Sequence, residues 1–343
     1  MPPDGGTLRL HPWVEGFADA AGDVFLMRPG WGPDVVVRDP EPEDRALLTA
    51  LVRGEEVAAS ERLRGLVEAG LVIARAPWPG GSPGDGRFSR QLTYFDAYAE
   101  PGPAMARLRG ARVCVIGCGG LGTWALAALA SLGIGAFTLA DDDAVETSNL
   151  NRQILFGACD VGRPKVELAA AWLRGFDPEV AVDAHRERVA SPADAARLID
   201  GADLVVLAAD WPPYELGRWV NAACVEAGIP FVTAGQQPPL LRIGPTYVPG
   251  AGACFACHES ALTEAFPRYP EIAAHRRAQA LPDTTLGPAC GVLGSLIGLE
   301  AMHLLTGAPW RLATLDSALL VDMRTLETHW ESIRRVEGCA VCG

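Results

Sequence analysis

Ala111-Arg-Val-Cys-Val-Ile-Gly117-Cys-Gly119-Gly120-Leu-Gly122 is an apolar run that breaks into a glycine turn and then into a helical pattern over residues 121–132. A strand that is apolar on both faces belongs in a parallel sheet covered on both sides. Glycine lets the turn close, and the helix after it offers unpaired N–H groups and the positive end of its dipole to phosphate. Dinucleotide dehydrogenases and ATP enzymes share this loop, so alone it does not choose between them. Downstream, strands are expected at 136–140, 203–208 and 230–233, with a helix over 214–227. Strands alternating with helices predict an α/β fold with a doubly wound, Rossmann-like, mostly parallel sheet. No solenoid-length repeat is present.

Upstream, Pro77-Trp-Pro-Gly-Gly-Ser-Pro-Gly-Asp-Gly86 has no apolar periodicity and reads as a linker. It separates a small α+β unit, residues 1–76, from the nucleotide domain, residues 87–343. In the small unit, strands at 23–27 and 34–37 flank the Gly30-Trp-Gly-Pro33 turn as a hairpin. Amphipathic helices at 42–53 and 60–69 and a strand at Leu71-Val-Ile73 complete a winged-helix-like pattern. A net charge of −13 over 343 residues opposes a non-specific grip on nucleic acid, so peptide binding is the reading preferred for this unit. The first thirty residues carry Asp4, Glu15, Asp19 and Asp23 and no sustained apolar run, so neither secretory signal nor membrane anchor is expected. This implies a reducing cytoplasmic location. Nine cysteines there, four of them in two Cys-x-x-Cys pairs, suggest metal ligation.

The second strand ends in Asp141-Asp-Asp143, where a carboxylate reaches ribose hydroxyls in either cofactor class. The polar and basic residues beyond it separate the classes. Glu146-Thr-Ser148-Asn149-Leu-Asn-Arg152-Gln153 and Gly162-Arg163-Pro-Lys165 place cations past the end of that strand. Hydride transfer has no need of them, whereas the charge that builds on the α-phosphorus and pyrophosphate during attack does. Asp210, just past the strand at 203–208, is a candidate Mg2+ ligand bridging the phosphates. Singly, Arg152 and Lys165 read as solvated charges and Asp210 as a helix cap. Together they point to a triphosphate.

These residues resemble the ubiquitin-activating-enzyme-like adenylyltransferases of thiamine, molybdopterin and microcin C biosynthesis. Arg87-Phe-Ser-Arg90-Gln91 is similar to the family's entry motif, and the Asp141-Asp-Asp143…Ser148-Asn-Leu-Asn-Arg-Gln153 segment to its central one. Gly291-Val-Leu-Gly-Ser-Leu-Ile-Gly298 through Leu305-Thr-Gly307 resembles its late helix. The resemblance runs from about residue 87 to the C-terminus. It implies ATP on Gly117, Gly119, Gly120 and Gly122, ribose on Asp141 with Asp143 and Gln153 nearby, and phosphates on Asn149, Arg152 and Lys165. Asp210 would hold Mg2+, and Arg90 would reach the active site of the other subunit of a homodimer. Arg90, Arg152, Lys165 and Asp210 form the implied catalytic set. The family commonly has Asn after the metal-binding Asp, whereas here Asp210 is followed by Trp211-Pro-Pro213.

Cys254-Phe-Ala-Cys257 and Cys339-Ala-Val-Cys342 are two thiolate knuckles of the kind that form a closed four-sulfur Zn2+ site. A redox dithiol explains only one of the pairs. Cys290, near the start of the late helix, is a candidate acyl-accepting nucleophile, read as structural because small residues surround it. Cys114 and Cys118 read as buried hydrophobes. The polar segment 258–285 is expected to be a mobile crossover over the substrate tail, with His258 and His275 as solvated or locally bonded histidines. The leading function is adenylation of the C-terminus of a ribosomally made precursor peptide, held by the first 76 residues. The alternatives are adenylation of a ubiquitin-like sulfur carrier protein and a non-catalytic leader-binding scaffold. A nicotinamide oxidoreductase lacks a hydride-transfer site here.

Overall fold

A computed structural model describes residues 6–28, 34–74, 86–278, 284–307 and 312–343. The chain forms two compact units, Met1–Ala104 and Met105–Gly343. The Gly30–Pro33 turn and, except for Gly86, the linker expected at 77–86 lie outside the described residues.

The first unit contains β1 (Thr7–Leu10), β2 (Glu15–Ala18), β3 (Val24–Met27), β4 (Val35–Val37), α1 (Pro42–Val52), β5 (Val57–Ala58), α2 (Arg64–Glu68), β6 (Val72–Ile73) and α3 (Ser89–Tyr98). The expected hairpin partners β3 and β4 pair antiparallel, and β2 adds to the other side of β3. A second sheet, β5-β1-β6, stands beside α1. Leu8, Val24, Leu26, Leu48, Leu51, Leu63 and Leu71 close one core between the elements. Alternation of buried and half-buried residues in Val24–Met27 is the period-two pattern that puts Val24 and Leu26 into it.

The boundary between the units falls inside α4 (Pro101–Gly110). The second unit continues with β7 (Arg112–Ile116), α5 (Gly120–Leu132), β8 (Ala136–Ala140), α6 (Lys165–Phe176), β9 (Ala181–His185), α7 (Pro192–Ile199), β10 (Leu204–Leu207), α8 (Glu215–Ala227) and β11 (Phe231–Gln237). It ends with β12 (Leu240–Tyr247), α9 (Phe255–Ala265), α10 (Tyr269–Ala278), α11 (Gly287–Thr306), β13 (Ser317–Asp322) and β14 (Thr328–Ser332). The eight-stranded sheet has the order β14-β13-β12-β11-β10-β7-β8-β9. From β9 to β11 it is parallel, and from β11 to β14 antiparallel. The doubly wound reading of the sequence holds, with an antiparallel extension that strand spacing alone did not reveal.

The crossovers explain the layers. β7-α5-β8-α6-β9 stays on one face, and the chain then crosses to supply α7 and α8 on the other. There Ala195, Leu198, Leu216 and Val220 pack on Cys114, Val205, Leu207 and Phe231. α11 lies on α5 and reaches β10, β11 and β12. Among the described residues it is the helix long and apolar enough to cross a membrane, and about half of it is buried in this packing. Segment 258–285 is mostly two helices rather than the irregular crossover expected, because α9 buries one narrow stripe, Cys257 and His258, that is too thin for apolar periodicity to register. Residues 279–283 lie outside the described set.

α5 and α11 approach closely because α11 carries glycine at the contact. A Cβ on Gly294 would lie 2.6 Å from Cβ of Trp124, and one on Gly298 would lie 2.9 Å from Cβ of Ala128. In an isolated helix, Gly294→Ala would stabilise by about 1 kcal/mol. Here it is expected to destabilise by about 1–3 kcal/mol, the usual cost of overpacking. Urea unfolding of the variant checks the sign.

Candidate functional site

β7 stands where the crossovers change face, between β8 and β10, and such a switch point opens a crevice at the carboxyl ends of the strands. The glycine turn leads out of β7 into this crevice. Gly117 has φ +100°, and a Cβ there would sit 2.9 Å from the backbone of Ala208 at the end of β10. At Gly122 a Cβ would meet the carbonyl oxygen of Gly117 at 1.9 Å, so only glycine allows the turn to fold against its helix. Gly119 is the N-cap of α5 and offers no side-chain acceptor, which leaves the first N–H groups of α5 for an anion.

Asp141 holds this turn in place. Its two carboxylate oxygens accept from Cys118 N–H at 2.6 Å and Asp143 N–H at 2.9 Å. Burial raises its pKa, and the two backbone donors oppose that shift. Each oxygen retains a lone pair for a ribose hydroxyl. The neighbouring carboxylates are engaged by cations: Arg188 pairs with Asp142 at 2.9 Å and Lys165 with Asp143 at 2.8 Å. Lys165, the first residue of α6, is buried apart from that contact, which focuses its charge toward the crevice. Arg188 was not foreseen, since it lies beyond β9 and only the fold brings it beside the acidic tip.

The loop between β8 and α6 keeps its shape through an apolar foot, Val145, Phe156 and Leu168, under a polar surface. Asn149 is buried, and its Oδ1 accepts from Glu146 N–H at 3.0 Å, so much of its side chain holds the turn. Arg152 donates to Ser148 O at 2.8 Å, and its carbonyl accepts from the Trp124 indole at 3.0 Å. Its Cγ and Cδ lie 3.4 Å from where a Cβ on Gly120 would stand, which places the stem of Arg152 over the start of α5. Gln153 is buried too, with Nε2 beside Gly119 and Oε1 lacking a hydrogen-bond partner among the described residues, an acceptor that a ligand hydroxyl would satisfy. Backbone N–H groups, two cations and an orphan acceptor around one crevice fit a nucleotide triphosphate.

Cys290 underlies the same turn. Its Sγ lies 3.0 Å from a Cβ built on Gly120 and 3.4 Å from both Gln236 Nε2 and Thr285 Oγ1. It is buried to 1% exposure in the first turns of α11, consistent with a packing role. Gln236 also accepts from Leu286 N–H and donates to Thr285, joining β11 to the start of α11. Sequence reasoning missed this link, although a Gln-Gln pair ending an apolar strand was a usable signal. Cys114 and Cys118 are buried, as expected, and burial pushes the Cys114 thiol up to about 12. Asp210 is exposed on the loop after β10, followed by half-exposed Trp211. Arg90 is exposed on α3 in the first unit.

At the far end of the unit the two knuckles converge. Cys254 Sγ lies 3.8 Å from Cys257 Sγ and 3.7 Å from Cys339 Sγ, and Cys257 and Cys342 are 3.6 Å apart. All four sulfurs fall within 4.8 Å of one another. A tetrahedron of sulfurs about 2.3 Å from zinc has edges of about 3.8 Å, so the cluster fits Zn2+ with no fifth position for water. Val336 N–H donates to Cys257 Sγ at 3.4 Å, an interaction that stabilises a thiolate. His258 is no ligand of this cluster: it is buried between Arg242 at 3.0 Å and the Tyr247 hydroxyl at 3.1 Å. Burial first, then Arg242, lower its pKa to about 3, so it is neutral. The purified chain is expected to carry one zinc per protomer by elemental analysis. Cys257→Ser should lose most of it and unfold at lower temperature.

The profile of the ThiF family matches residues 88–339. The chain is 33% identical over 262 residues to the sulfur carrier protein ThiS adenylyltransferase of Escherichia coli K12, covering 75% of this chain and 94% of that protein. It is 36% identical over 274 residues to the SAMP-activating enzyme E1 of Haloferax volcanii, covering 74% and 91%. The crystal structure of E. coli MccB with ATP superposes with a TM-score of 0.76 at 25% identity, covering 98% of this chain and 100% of that one. With the profile spanning most of the second unit and the nucleotide crevice within it, the chain is an adenylyltransferase of the ThiF family.

Proposed function

We propose that the chain uses ATP and Mg2+ to adenylate the C-terminal carboxylate of a ribosomally made precursor peptide during natural-product synthesis. One observation carries the choice of substrate. The MccB structure superposes on 98% of this chain, so the likeness to MccB takes in the first unit as well. MccB has also been crystallised with AMPCPP and MccA, and a chain of the same overall build suits a peptide partner. The edge strands β2 and β4, which pair with no further strand among the described residues, offer a leader peptide a place to add to the β2-β3-β4 sheet. Tethering there raises the effective concentration of the C-terminus at the crevice.

In the reaction a carboxylate oxygen attacks the α-phosphorus, the bond to the β-phosphate oxygen breaks, and pyrophosphate leaves with its electron pair. Gly117, Gly119, Gly120 and Gly122 shape the phosphate loop, and Asp141, with Asp143 and Gln153 beside it, takes the ribose. Asn149 positions the loop. Arg152 and Lys165 neutralise charge that grows on the transferring phosphate and departing pyrophosphate, so they act more on the transition state than on ATP binding. Lys165 must turn from Asp143 toward the phosphates to do so. Asp210 would hold Mg2+, which supplies further charge neutralisation when bound. Arg90 is assigned to the neighbouring subunit's site in a homodimer. Exposed Val292 and Leu299, seven residues apart on one face of α11, suit burial against a second copy. Knuckle cysteines that serve a metal rather than disulfides fit residence in the reducing cytoplasm.

Adenylation of a ubiquitin-like sulfur carrier is the second reading, favoured by the 33% and 36% identical relatives. A flexible Gly-Gly tail on the partner would distinguish it. In ATP–pyrophosphate exchange with peptides encoded beside the gene, Lys165→Ala is expected to lower the rate about 100-fold to 1,000-fold, the scale of losing one preorganised charge. ATP affinity should change far less. Co-purified Arg90→Ala and Lys165→Ala protomers should recover exchange well above that of either homodimer. Absence of that rescue removes Arg90 from the partner's site.

A further inference from the structure

Beyond the nucleotide crevice, α8, α9 and α10 enclose an open cleft of about 770 Å3. Arg218 contributes one wall, Glu259, Ser260, Thr263 and Glu264 a second, and Tyr269 a third. The volume is that of a ligand pocket rather than of a packing defect. Its position is tied to the reaction site by one contact. Tyr269 meets Tyr214 edge to face at a centroid distance of 5.9 Å, and Tyr214 stands at the N-cap of α8, four residues after Asp210. The loop that carries the metal-binding candidate thus runs directly into the wall of the cleft.

The cleft also has a sign and an unfilled hydrogen-bond position. Arg218 Nε donates to Glu259 Oε2 at 2.8 Å, while Glu259 Oε1 is buried and has no hydrogen-bond partner among the described residues. One guanidinium against Glu259 and Glu264 leaves the lining net negative. The Tyr269 hydroxyl stays protonated, since burial and then Glu259 push its pKa up to about 12. We propose that this cleft binds the stretch of substrate peptide just upstream of the activated carboxylate and selects a lysine or arginine there, whose N–H donors fill Glu259 Oε1. The proposal rests on the adenylation reading for the identity of its occupant. A cationic side chain suits the site because a charge-assisted hydrogen bond to a partly desolvated carboxylate outweighs a neutral one.

The test pans a display library of short random peptides with free C-termini on the full chain, its Glu259→Gln variant and its Ser260→Trp variant. Glu259→Gln keeps an acceptor for Arg218 and removes the charge. Ser260 is exposed on α9, so the bulky substitution obstructs the cleft from a position that tolerates change. Thermal unfolding verifies that both variants fold. Wild type is expected to enrich peptides with a basic residue before the terminus, with affinity falling about tenfold in Glu259→Gln and binding lost in Ser260→Trp. No enrichment, enrichment without a basic residue, or binding unaffected by Ser260→Trp overturns the proposal. Enriched peptides are then assayed for ATP–pyrophosphate exchange. Glu259-dependent binding without exchange retains the cleft and rejects adenylation of peptides, whereas exchange with peptides that bind regardless of Glu259 does the reverse.

Discussion

The carboxylate of Asp141 clasping the glycine turn is the constraint on which the nucleotide crevice depends. In the turn Gly117-Cys-Gly-Gly-Leu-Gly122 four of the six residues are glycine, and none carries a side-chain oxygen or nitrogen with which to fix its shape. Two backbone N–H groups, from Cys118 and Asp143, converge on one carboxylate at the tip of β8, and this joins β7 and β8 at the mouth of the crevice. Burial opposes the charge on Asp141, and the backbone donors sustain it. Each of the three consecutive aspartates has its own work: Asp141 closes the turn, Asp142 holds Arg188, and Asp143 holds Lys165. An acidic cluster that would repel itself in isolation is made stable by cations from β9's far end and from α6.

How far this was legible in the sequence depends on the range over which each signal acts. The apolar strand, the glycine turn and the helix after it are local, and all three stood out because β7 is buried on both faces and α5 begins at the glycines. The paired knuckles were legible as well, since two Cys-x-x-Cys pairs match the ligand spacing of one tetrahedral metal. Arg188, Gln236 and Thr285 escaped notice because their roles come from neighbours 46 to 54 residues away. Helices α9 and α10 escaped for a different reason. They sit on the outside of the unit and bury so little that polar sequence and helical structure coexist, the case in which hydrophobic periodicity is blind.

Glycine spacing in α11 had a physical meaning that the sequence hinted at through resemblance alone. Gly291, Gly294 and Gly298 face Trp124 and Ala128, so α11 settles against α5 at backbone distance. The same approach places Cys290 under Gly120 and puts the Trp124 indole on the carbonyl of Arg152. Packing between two core helices therefore sets the position of the loop that carries Arg152. A mutation in α11 far from any ligand would reach the crevice through Trp124.

The four-cysteine cluster has a parallel consequence elsewhere in the unit. Cys254 and Cys257 occupy the start of α9, and Cys339 and Cys342 anchor it to the C-terminal segment. One turn further along α9 come Glu259 and Ser260, which line the cleft, and Phe255 N–H bonds Asn221 of α8 at 2.9 Å. A helix with so thin an apolar stripe would not hold a fixed position by burial alone, because the stripe supplies too little area to offset the ordering of eleven residues. A Zn2+ ion held by Cys254, Cys257, Cys339 and Cys342 would clamp its first turn through two sulfur bonds, beside the hydrogen bond to Asn221, and leave the rest of α9 polar. Held there, α9 carries Glu259 and Ser260 into the lining of the cleft.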